Sequence, residues 1–428
     1  MIKKILYTIF TKFLSSGIGF LTIILVSQFL GAEGKGEQSI FLFNIFLILL
    51  FATLIGNTTL IYLAPRHKFS DLFFPSLAWI IGSLALLFGV FYLMPDIIII
   101  FPFELFIIGL MASVTEVNTY VLIGRQEVRK ANDLKIIWQL ASISFLGVMA
   151  IVGDFNSTYD YVLSIILGYF LSLIYGFYLL RKDYFALKMP SWDRFLEMFR
   201  LLFRLGAIKQ IGNIAQTLNA RLSFYLLSIY SGNKVLGVFS NGISISEAVL
   251  MLGTSLALVQ YSKLSNVEDE KYSKRLSIQM TKVNLVFSFL ALLSFSILPS
   301  SFYAFVFGKE FMGINHIVQL LALGYLLISI TTTFTQYFAS KGNFTISSFA
   351  ALFGLISTAG LGFWLVPIYG IIGAAITMTI SYSITFSIEY YYFCKWTESS
   401  FRDFLINRAD VKEIKFLLGK KKNISEKK

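Results

Sequence analysis

The chain has 428 residues, of which 56% are hydrophobic, 17% are aromatic and only 14% are charged. Soluble domains carry about a quarter charged residues, so this composition indicates that water is not the main solvent of the protein. The net charge of +12 does not indicate nucleic-acid binding, because the basic residues form short clusters between apolar runs. One cysteine and two histidines exclude a disulfide framework, and we expect no metal and no cofactor.

Twelve apolar runs are long enough to cross a bilayer as helices, which takes roughly 20 residues. They lie near residues 5–30, 38–63, 72–94, 101–123, 134–152, 158–180, 205–230, 235–261, 281–307, 314–339, 345–368 and 370–394. This pattern predicts an all-α polytopic membrane protein with twelve transmembrane helices. The first run is longer than the apolar core of a signal peptide and no small-residue cleavage pattern follows it, so we expect no cleavable signal.

The distribution of lysine and arginine orients these spans, because basic residues are retained on the cytoplasmic side. With both termini in the cytoplasm, 29 of the 36 Lys and Arg residues fall in cytoplasmic segments. Only Lys35, Lys234 and Lys309 fall in segments on the outer side of the membrane. The other four lie within spans or at their edges: Lys12, Lys209, Arg221 and Lys282.

Two basic stretches have an amphipathic pattern. The segment SWDRFLEMFRLLFR after Pro190 separates aromatic and leucine side chains from charged ones, and the tail from Phe401 repeats the pattern before Lys420, Lys421 and Lys422. Such helices lie in the headgroup region, which makes membrane lipids expected partners. An ordinary positively charged flank is the alternative to a dedicated partner site.

The predicted domains are a six-helix lobe at 1–188, an amphipathic linker helix at 189–204, a second six-helix lobe at 205–397 and a basic cytoplasmic tail at 398–428.

An internal repeat relates the two predicted lobes. A shift of 201 residues places Gly36 and Ser39 on Gly237 and Ser240. The same shift pairs polar positions inside spans one and seven: Lys12, Ser15 and Ser16 fall on Asn213, Gln216 and Thr217. Six spans per half leave both halves in one orientation, as in transporters built from parallel repeats.

The glycine-rich stretch GAEGKGEQS, residues 31–39, invites a phosphate-binding interpretation. A Walker A loop needs G-x-x-x-x-G-K-[ST] between a strand and a helix. Here the lysine precedes the last glycine and both flanks are apolar spans. The sequence therefore predicts a tight hairpin between spans one and two on the outer side.

The stretch TKFLSSGIGFLTIILVSQFLGAEGKGEQS resembles the opening of the Wzx-type O-antigen and oligosaccharide repeat-unit flippases. These polysaccharide transporters belong to the multidrug/oligosaccharidyl-lipid/polysaccharide (MOP) superfamily. The resemblance implies two six-helix lobes around a central cavity in the bacterial inner membrane, and no enzyme activity. The implied cargo is an undecaprenyl-diphosphate-linked oligosaccharide moved from the cytoplasmic to the periplasmic leaflet, with the polysaccharide polymerase and chain-length machinery as further partners.

Ionisable side chains inside spans are costly and are candidates for function. Lys12 in span one, and Lys209 and Arg221 in span seven, are candidate cavity cations for a diphosphate, which needs cations or hydrogen-bond donors when it leaves water. Sugars need hydroxyl and amide partners. The candidate polar lining consists of Ser15, Ser16, Asn213, Gln216 and Thr217. Snorkelling of Lys209 to the interface is the alternative for that residue.

Acidic side chains at depth leave several interpretations open. Glu116 in span four and Glu247 in span eight are candidates for ion coupling or for ion pairs. Arg221 and Glu247 lie at similar depth, so a structural pair is an alternative to substrate contact. Glu104 and Glu389 lie near span ends and are expected to be interfacial.

Two other classes remain as alternatives. A multidrug/toxin cation antiporter of the same superfamily would have an acidic cavity, and a peptidoglycan-precursor flippase usually has fourteen spans. A membrane enzyme that polymerises or ligates glycans would display a large outer loop, whereas every outer loop predicted here is short.

Overall fold

The computed structural model describes residues 2–93, 99–265 and 269–405. Within these ranges all regular structure is helical, and no β-strand occurs. The α-helices are α1 (Ile2–Ala52), α2 (Asn57–Leu63), α3 (Phe69–Leu93), α4 (Pro102–Gly124), α5 (Val128–Val152), α6 (Thr158–Leu179), α7 (Arg181–Phe185), α8 (Trp192–Ser231), α9 (Asn233–Leu264), α10 (Glu270–Ile297), α11 (Ser300–Phe307), α12 (Ile314–Ser340) and α13 (Thr345–Thr397). Short 3₁₀ helices occupy Lys309–Phe311 and Phe401–Phe404.

Two of these helices are far longer than one bilayer crossing. Helix α1 has 51 residues and α13 has 53, which at about 1.5 Å per residue is more than twice the roughly 30 Å of the hydrocarbon core. Each bends at one glycine, Gly31 (φ 66°) or Gly370 (φ 52°). Side-chain-bearing residues rarely adopt positive φ, and glycine does so without a steric penalty. Each long helix is therefore two helices joined end to end.

Nine helices of the described residues are long and apolar enough to cross a membrane. If α1 and α13 each cross twice at their bends, these nine supply eleven crossings. Helix α8, which contains the predicted seventh span, is not among the nine. The prediction of an all-α, multi-pass membrane protein is confirmed.

The stretch from Gly31 to Ser39 contains a single-residue bend in α1, and the tight hairpin on the outer side stays a prediction. Only Gly31 departs from helical geometry, and the helix resumes at Ala32. At the bend, the backbone amide of Ala32 donates to Oε2 of Glu310 at 2.7 Å. The first amides of a helix have no partner within that helix, and Glu310 supplies one for Ala32.

Residues 192–204 of the predicted amphipathic linker form the beginning of α8, which runs unbroken from Trp192 to Ser231. Met198 and Leu202 are fully buried on this stretch, and Arg194 pairs with Asp71 at 3.2 Å. The tail residues Val411, Ile414, Leu418 and Lys420–Lys422 lie outside the described residues.

The Cα positions group into two compact units. Unit 1 comprises Met1–Thr217, Phe224–Asn241 and Ser301–Met312. Unit 2 comprises Leu218–Ser223, Gly242–Ser300 and Gly313–Lys428. The lobe and linker boundaries drawn from the sequence stay predictions.

Small and hydroxyl-bearing residues join the helices of unit 1. Between α5 and α6, the Ser142 and Ser164 hydroxyls are 2.8 Å apart, and the rings of Trp138 and Tyr169 stack with centroids 5.0 Å apart. A Cβ atom on Gly168 would lie 2.4 Å from the carbonyl oxygen of Trp138, so the two backbones are in direct contact. Such packing is typical of membrane helices, where apolar side chains gain little by leaving lipid.

Buried amides play the same role in unit 2. Oδ1 of Asn219 accepts hydrogen bonds from the hydroxyls of Thr358 and Ser381, the second at 2.7 Å. Asn284 donates to the carbonyl oxygen of Ser329 at 2.7 Å, which joins α10 to α12. These bonds occur away from water, so leaving one partner unpaired would cost about 1–3 kcal/mol.

Candidate functional site

The predicted cavity residues on α1 lie at the protein surface. Lys12 is exposed and Ser15 and Ser16 are half-buried. Successive helical residues turn by about 100°, so the two serines lie within about 60° of Lys12 around the helix. These three side chains therefore share one face of α1.

The predicted cavity residues on α8 follow the same pattern. Asn213 and Gln216 are exposed and Thr217 is half-buried. Asn213 donates to Oε1 of Gln210 at 3.2 Å, and the buried amide of Gln210 donates to the carbonyl oxygen of Leu50 at 2.7 Å. The side chain of Lys209 lies outside the described residues.

Arg221 and Glu247 form an ion pair within unit 2. Nη2 of Arg221 lies 3.0 Å from Oε2 of Glu247, and the two side chains are 22% and 29% exposed. The aromatic rings of Tyr325 and Tyr382 pack edge to face, with centroids 5.5 Å apart, in the electrostatic surroundings of this pair. The geometry matches the ion pair that the sequence left as one of two interpretations. Their predicted substrate contact stays a prediction.

Glu116 lies on α4 with one carboxylate oxygen sealed from solvent. Oε2 is buried and has no hydrogen-bond partner among the described residues. The Tyr120 hydroxyl, one helical turn on, interacts with the same carboxylate. An acidic side chain with an unpartnered oxygen in a candidate span is costly.

The structure corrects the expectation for Glu389. This side chain is 2% exposed, so it is buried and not interfacial. The hydroxyl of Thr335, on α12, lies 2.9 Å from Oε2 and 3.1 Å from Oε1. Glu389 is close to the end of α13 in sequence, but α12 covers that end, and sequence depth alone does not reveal such coverage.

A cluster that the sequence did not predict holds the bend of α1, and we call it the Glu310 clamp. Oε2 of Glu310 accepts from the Ala32 amide, and Oε1 lies 2.9 Å from Nζ of Lys234. Beside it, the Gln28 amide donates to the carbonyl oxygens of Phe305 and Val306 at 3.0 and 2.8 Å. The Ala32 amide and then the Lys234 ammonium hold the pKa of the Glu310 carboxyl below its usual value.

The internal repeat brings two helix beginnings into reciprocal contact within unit 1. A Cβ atom on Gly36 would lie 1.8 Å from the carbonyl oxygen of Asn233, and one on Gly237 would lie 1.9 Å from that of Ala32. Asn233 is the residue that a shift of 201 places on Ala32. The glycines that carry the repeat signal therefore contact the same backbone position of the other half.

Comparisons with known proteins bear on what this arrangement does. No family model matches the chain. The chain is 26% identical over 205 residues to the capsular polysaccharide biosynthesis protein CapF of Staphylococcus aureus, a match that covers 47% of this chain and 50% of that protein. It is 22% identical over 299 residues to an uncharacterised membrane protein of Methanocaldococcus jannaschii, covering 68% of this chain and 58% of that protein. The chain thus spans half or somewhat more of the length of the curated relatives that it matches.

Solved structures match over nearly the whole chain. The lipid II flippase MurJ in an inward closed conformation superposes with a TM-score of 0.74 at 16% identity, covering 97% of this chain and 92% of that one. An inward-facing multidrug resistance MATE family transporter of the MOP superfamily gives a TM-score of 0.64 at 13% identity, covering 90% and 94%. At these identities the likeness concerns the fold.

The fold and the apolar helices define the class, a multi-pass membrane protein with the fold of the MOP transporters. Within that class, the predicted resemblance to polysaccharide transporters is confirmed, because a capsular polysaccharide biosynthesis protein is among the relatives.

Proposed function

We propose that this protein is a flippase that moves an undecaprenyl-diphosphate-linked oligosaccharide from the cytoplasmic to the periplasmic leaflet of the bacterial inner membrane. The glycan serves a surface polysaccharide such as O-antigen, capsule or exopolysaccharide. The polymerase and chain-length machinery would act on the delivered product. The observation that carries the proposal is the shared face of Lys12, Ser15 and Ser16 on α1, where Lys12 is exposed and the two serines are half-buried.

The chemistry of the cargo matches the accessible side chains. A diphosphate with about two negative charges needs cations or donors when it is out of bulk water. Lys12 offers an ammonium group, and Asn213, Gln216 and Thr217 offer amide and hydroxyl groups for sugars. Lys209 and Arg221 complete the proposed cation set. In this proposal Arg221 exchanges Glu247 for the headgroup during the cycle.

The proposed topology has twelve spans with both termini in the cytoplasm. The bent helices α1 and α13 supply two crossings each, and α8 supplies the crossing that its polar residues hide from a hydropathy criterion. Polar and charged residues within a span are expected where it lines a wet cavity. The low hydropathy of α8 is thus a consequence of the proposed role.

The driving force in this proposal is the membrane potential. Expelling one negative charge from a cell with a negative interior gains about 2.3 kcal/mol per 100 mV, so a doubly charged headgroup gains about 4.6 kcal/mol. The headgroup enters an inward-open cavity and the lobes rock. The sugar then leaves on the outer side while the lipid tail stays in the bilayer.

Two alternatives on the same fold make different predictions. A cation-coupled drug antiporter is favoured by the acidic groups Glu116, Glu247 and Glu389, which are partly or fully buried. A peptidoglycan-precursor flippase is favoured by the extent of the MurJ superposition. Both would carry a cargo that differs in chemistry from a polymer repeat unit.

Complementation separates the three. The gene is expressed in a strain that accumulates lipid-linked oligosaccharide on its inner leaflet, in a strain depleted of its lipid II flippase, and in a strain hypersensitive to toxic cations. We expect restored surface glycan in the first strain alone. Growth of the second strain or drug resistance of the third, without glycan export in the first, would overturn the proposal.

The cavity assignment has its own test in the first strain. The Lys12→Ala and Lys209→Ala double variant is expected to lose at least about 90% of export, because removal of two headgroup contacts of about 1 kcal/mol or more each exceeds a factor of ten. The matched control is the double variant Lys188→Ala and Lys263→Ala, which removes two exposed lysines outside the proposed cavity. Normal export by the first double variant contradicts the assignment.

A further inference from the structure

One buried tyrosine hydroxyl in unit 2 has no hydrogen-bond partner. The Oη atom of Tyr325, on α12, is sealed from solvent and forms no hydrogen bond among the described residues, and the whole residue is 0% exposed. The hydroxyl of Tyr382, on α13, lies near it, but the two do not reach hydrogen-bond geometry. A buried tyrosine hydroxyl usually has a partner, so each exception calls for an explanation.

This hydroxyl lies beside the Arg221–Glu247 ion pair. Nη2 of Arg221 and Oε2 of Glu247 are 3.0 Å apart, and both charges interact electrostatically with the Tyr325 hydroxyl. The Tyr325 ring is held against that of Tyr382, edge to face, with centroids 5.5 Å apart. Helices α8, α9, α12 and α13 thus bring one ion pair and one unused donor to the same part of unit 2.

Arg221 is the only hydrogen-bond and ion-pair partner of Glu247 among the described residues. A carboxylate in a candidate span that loses its cation is strongly disfavoured. Any step that moves Arg221 away therefore needs a second group that favours the charge on Glu247. A tyrosine O–H is such a group, because it can donate a charge-assisted hydrogen bond to a carboxylate.

The surroundings of the hydroxyl fit this second role better than a role in the present packing. While Arg221 occupies Glu247, the Tyr325 hydroxyl forms no bond and does not stabilise the contact between the helices. Phenylalanine would fill the same space without burying an unsatisfied donor. The hydroxyl therefore gains a partner when the ion pair opens.

We propose that Tyr325 is the second partner of Glu247, whose carboxylate accepts the Tyr325 hydroxyl whenever Arg221 leaves the pair. The exchange itself depends only on unit 2, whereas its place in transport rests on the proposed function, in which Arg221 turns to the diphosphate of the cargo. Tyr325 is then a positioning residue that compensates Glu247 while Arg221 holds the headgroup. It does not itself contact the cargo.

A thermodynamic cycle in detergent tests the exchange without any cargo. Arg221→Met removes the guanidinium, so Tyr325 should already donate to Glu247 in that variant. Tyr325→Phe is therefore expected to leave the unfolding midpoint of the parent unchanged or to raise it, and to lower the midpoint of Arg221→Met by at least about 2 °C. Thr377→Val is the matched control, because the Thr377 hydroxyl is also buried without a partner, and its effect should be the same in both backgrounds.

Two outcomes of this cycle would overturn the proposal. One is an equal effect of Tyr325→Phe in the parent and in Arg221→Met. The other is a lower midpoint when Tyr325→Phe is made in the parent, since this would show that the hydroxyl already has a partner there, such as a buried water molecule. Export is the second measurement if Arg221→Met does not fold.

Flipping of lipid-linked oligosaccharide in proteoliposomes tests the place of the exchange in the cycle. Tyr325→Phe should lower the maximal rate at least about fivefold and leave the half-saturating cargo concentration unchanged, because the hydroxyl acts only after Arg221 has left Glu247. Thr377→Val should flip like the parent. Normal flipping by Tyr325→Phe would remove the exchange from the transport cycle. A parent that flips no such cargo contradicts the proposed function instead, and the detergent cycle then decides the role of Tyr325.

Discussion

Gly237 and Gly36 are in direct backbone contact, since a Cβ atom on Gly237 would lie 3.0 Å from the backbone nitrogen of Gly36. The two positions are related by the 201-residue repeat. Each glycine lies in the first turns of a helical segment, and each lets that segment approach the backbone of the other. The contact therefore joins the two sequence repeats, and it leaves no room for a side chain at either glycine.

Alanine at either glycine is expected to destabilise unit 1. The added methyl group would meet backbone atoms at under 2 Å at both Gly36 and Gly237, and overpacking of this kind costs about 1–3 kcal/mol or more. The measurement is the unfolding midpoint and the monodisperse yield after detergent extraction. Gly82→Ala is the control, because its Cβ would have no neighbour within 4 Å. A Gly36→Ala variant that behaves like Gly82→Ala would contradict the contact.

The Arg221–Glu247 pair predicts non-additive variants. Arg221→Met and Glu247→Leu each leave a partly buried charge without its partner, at an expected cost of about 1–3 kcal/mol, discounted for the remaining exposure of both groups. The double variant removes both charges and should cost less than the sum by about 1 kcal/mol or more. Unfolding of the four proteins of this cycle in detergent measures the coupling energy. Additive effects would show that the two side chains act independently.

The Glu310 clamp predicts a defined pH dependence. The folded pKa of Glu310 lies below its usual value of 4.5 because the Ala32 amide and Lys234 favour the carboxylate. A depressed folded pKa stabilises the protein above the unfolded pKa, and this stabilisation is lost as the pH falls through the folded pKa. The drop in unfolding midpoint between pH 6 and pH 3.5 should therefore be smaller in Glu310→Gln than in the parent.

The control for the clamp is Glu33→Gln, which removes an exposed acid from the same bend. Its midpoint should fall with pH as steeply as that of the parent protein. If Glu310→Gln and the parent lose stability in parallel over this range, the clamp does not contribute to stability.

The buried carboxyl of Glu389 predicts sensitivity at Thr335. Thr335→Val keeps the shape and removes a hydroxyl that donates to Oε2 of Glu389 at 2.9 Å. A typical hydrogen bond contributes about 0.5–1.5 kcal/mol, so the unfolding midpoint should fall. Thr332→Val is the matched control on α12, because the Thr332 hydroxyl bonds only to the carbonyl oxygen of Ser329 in its own helix. Equal effects of the two substitutions would contradict a specific role for Thr335.

The helical membrane fold was predictable because it follows from composition and from the length of apolar runs. The position of a residue along a predicted span did not reveal whether its side chain is buried, as Glu389 illustrates. Its coverage depends on which face of α13 meets α12, and no periodicity in a nearly uniform apolar helix reports that face. Lys12 lies in α1 and is exposed, and its role as a cavity cation stays a prediction.

The contacts that cross between distant segments could not be predicted from the sequence. Glu310 lies in a short connection after Gly308, and its partners Ala32 and Lys234 are 278 and 76 residues away. Ser76 and Ser113 are ordinary polar residues of apolar helices until the break after Ala52 gives them a common cavity. Only the packing of α1, α3 and α4 brings these residues together.

Two segments from the second half of the chain, Phe224–Asn241 and Ser301–Met312, belong to unit 1. A gene divided within residues 189–204 would therefore yield an amino-terminal fragment without the partners of Gly36 and of the Ala32 amide. Such a fragment should be degraded when it is expressed by itself and should be rescued in trans by the carboxy-terminal fragment. The two sequence halves are therefore expected to depend on each other, so swapping one half between relatives should succeed only where the glycine contact and the Glu310 clamp are exchanged together.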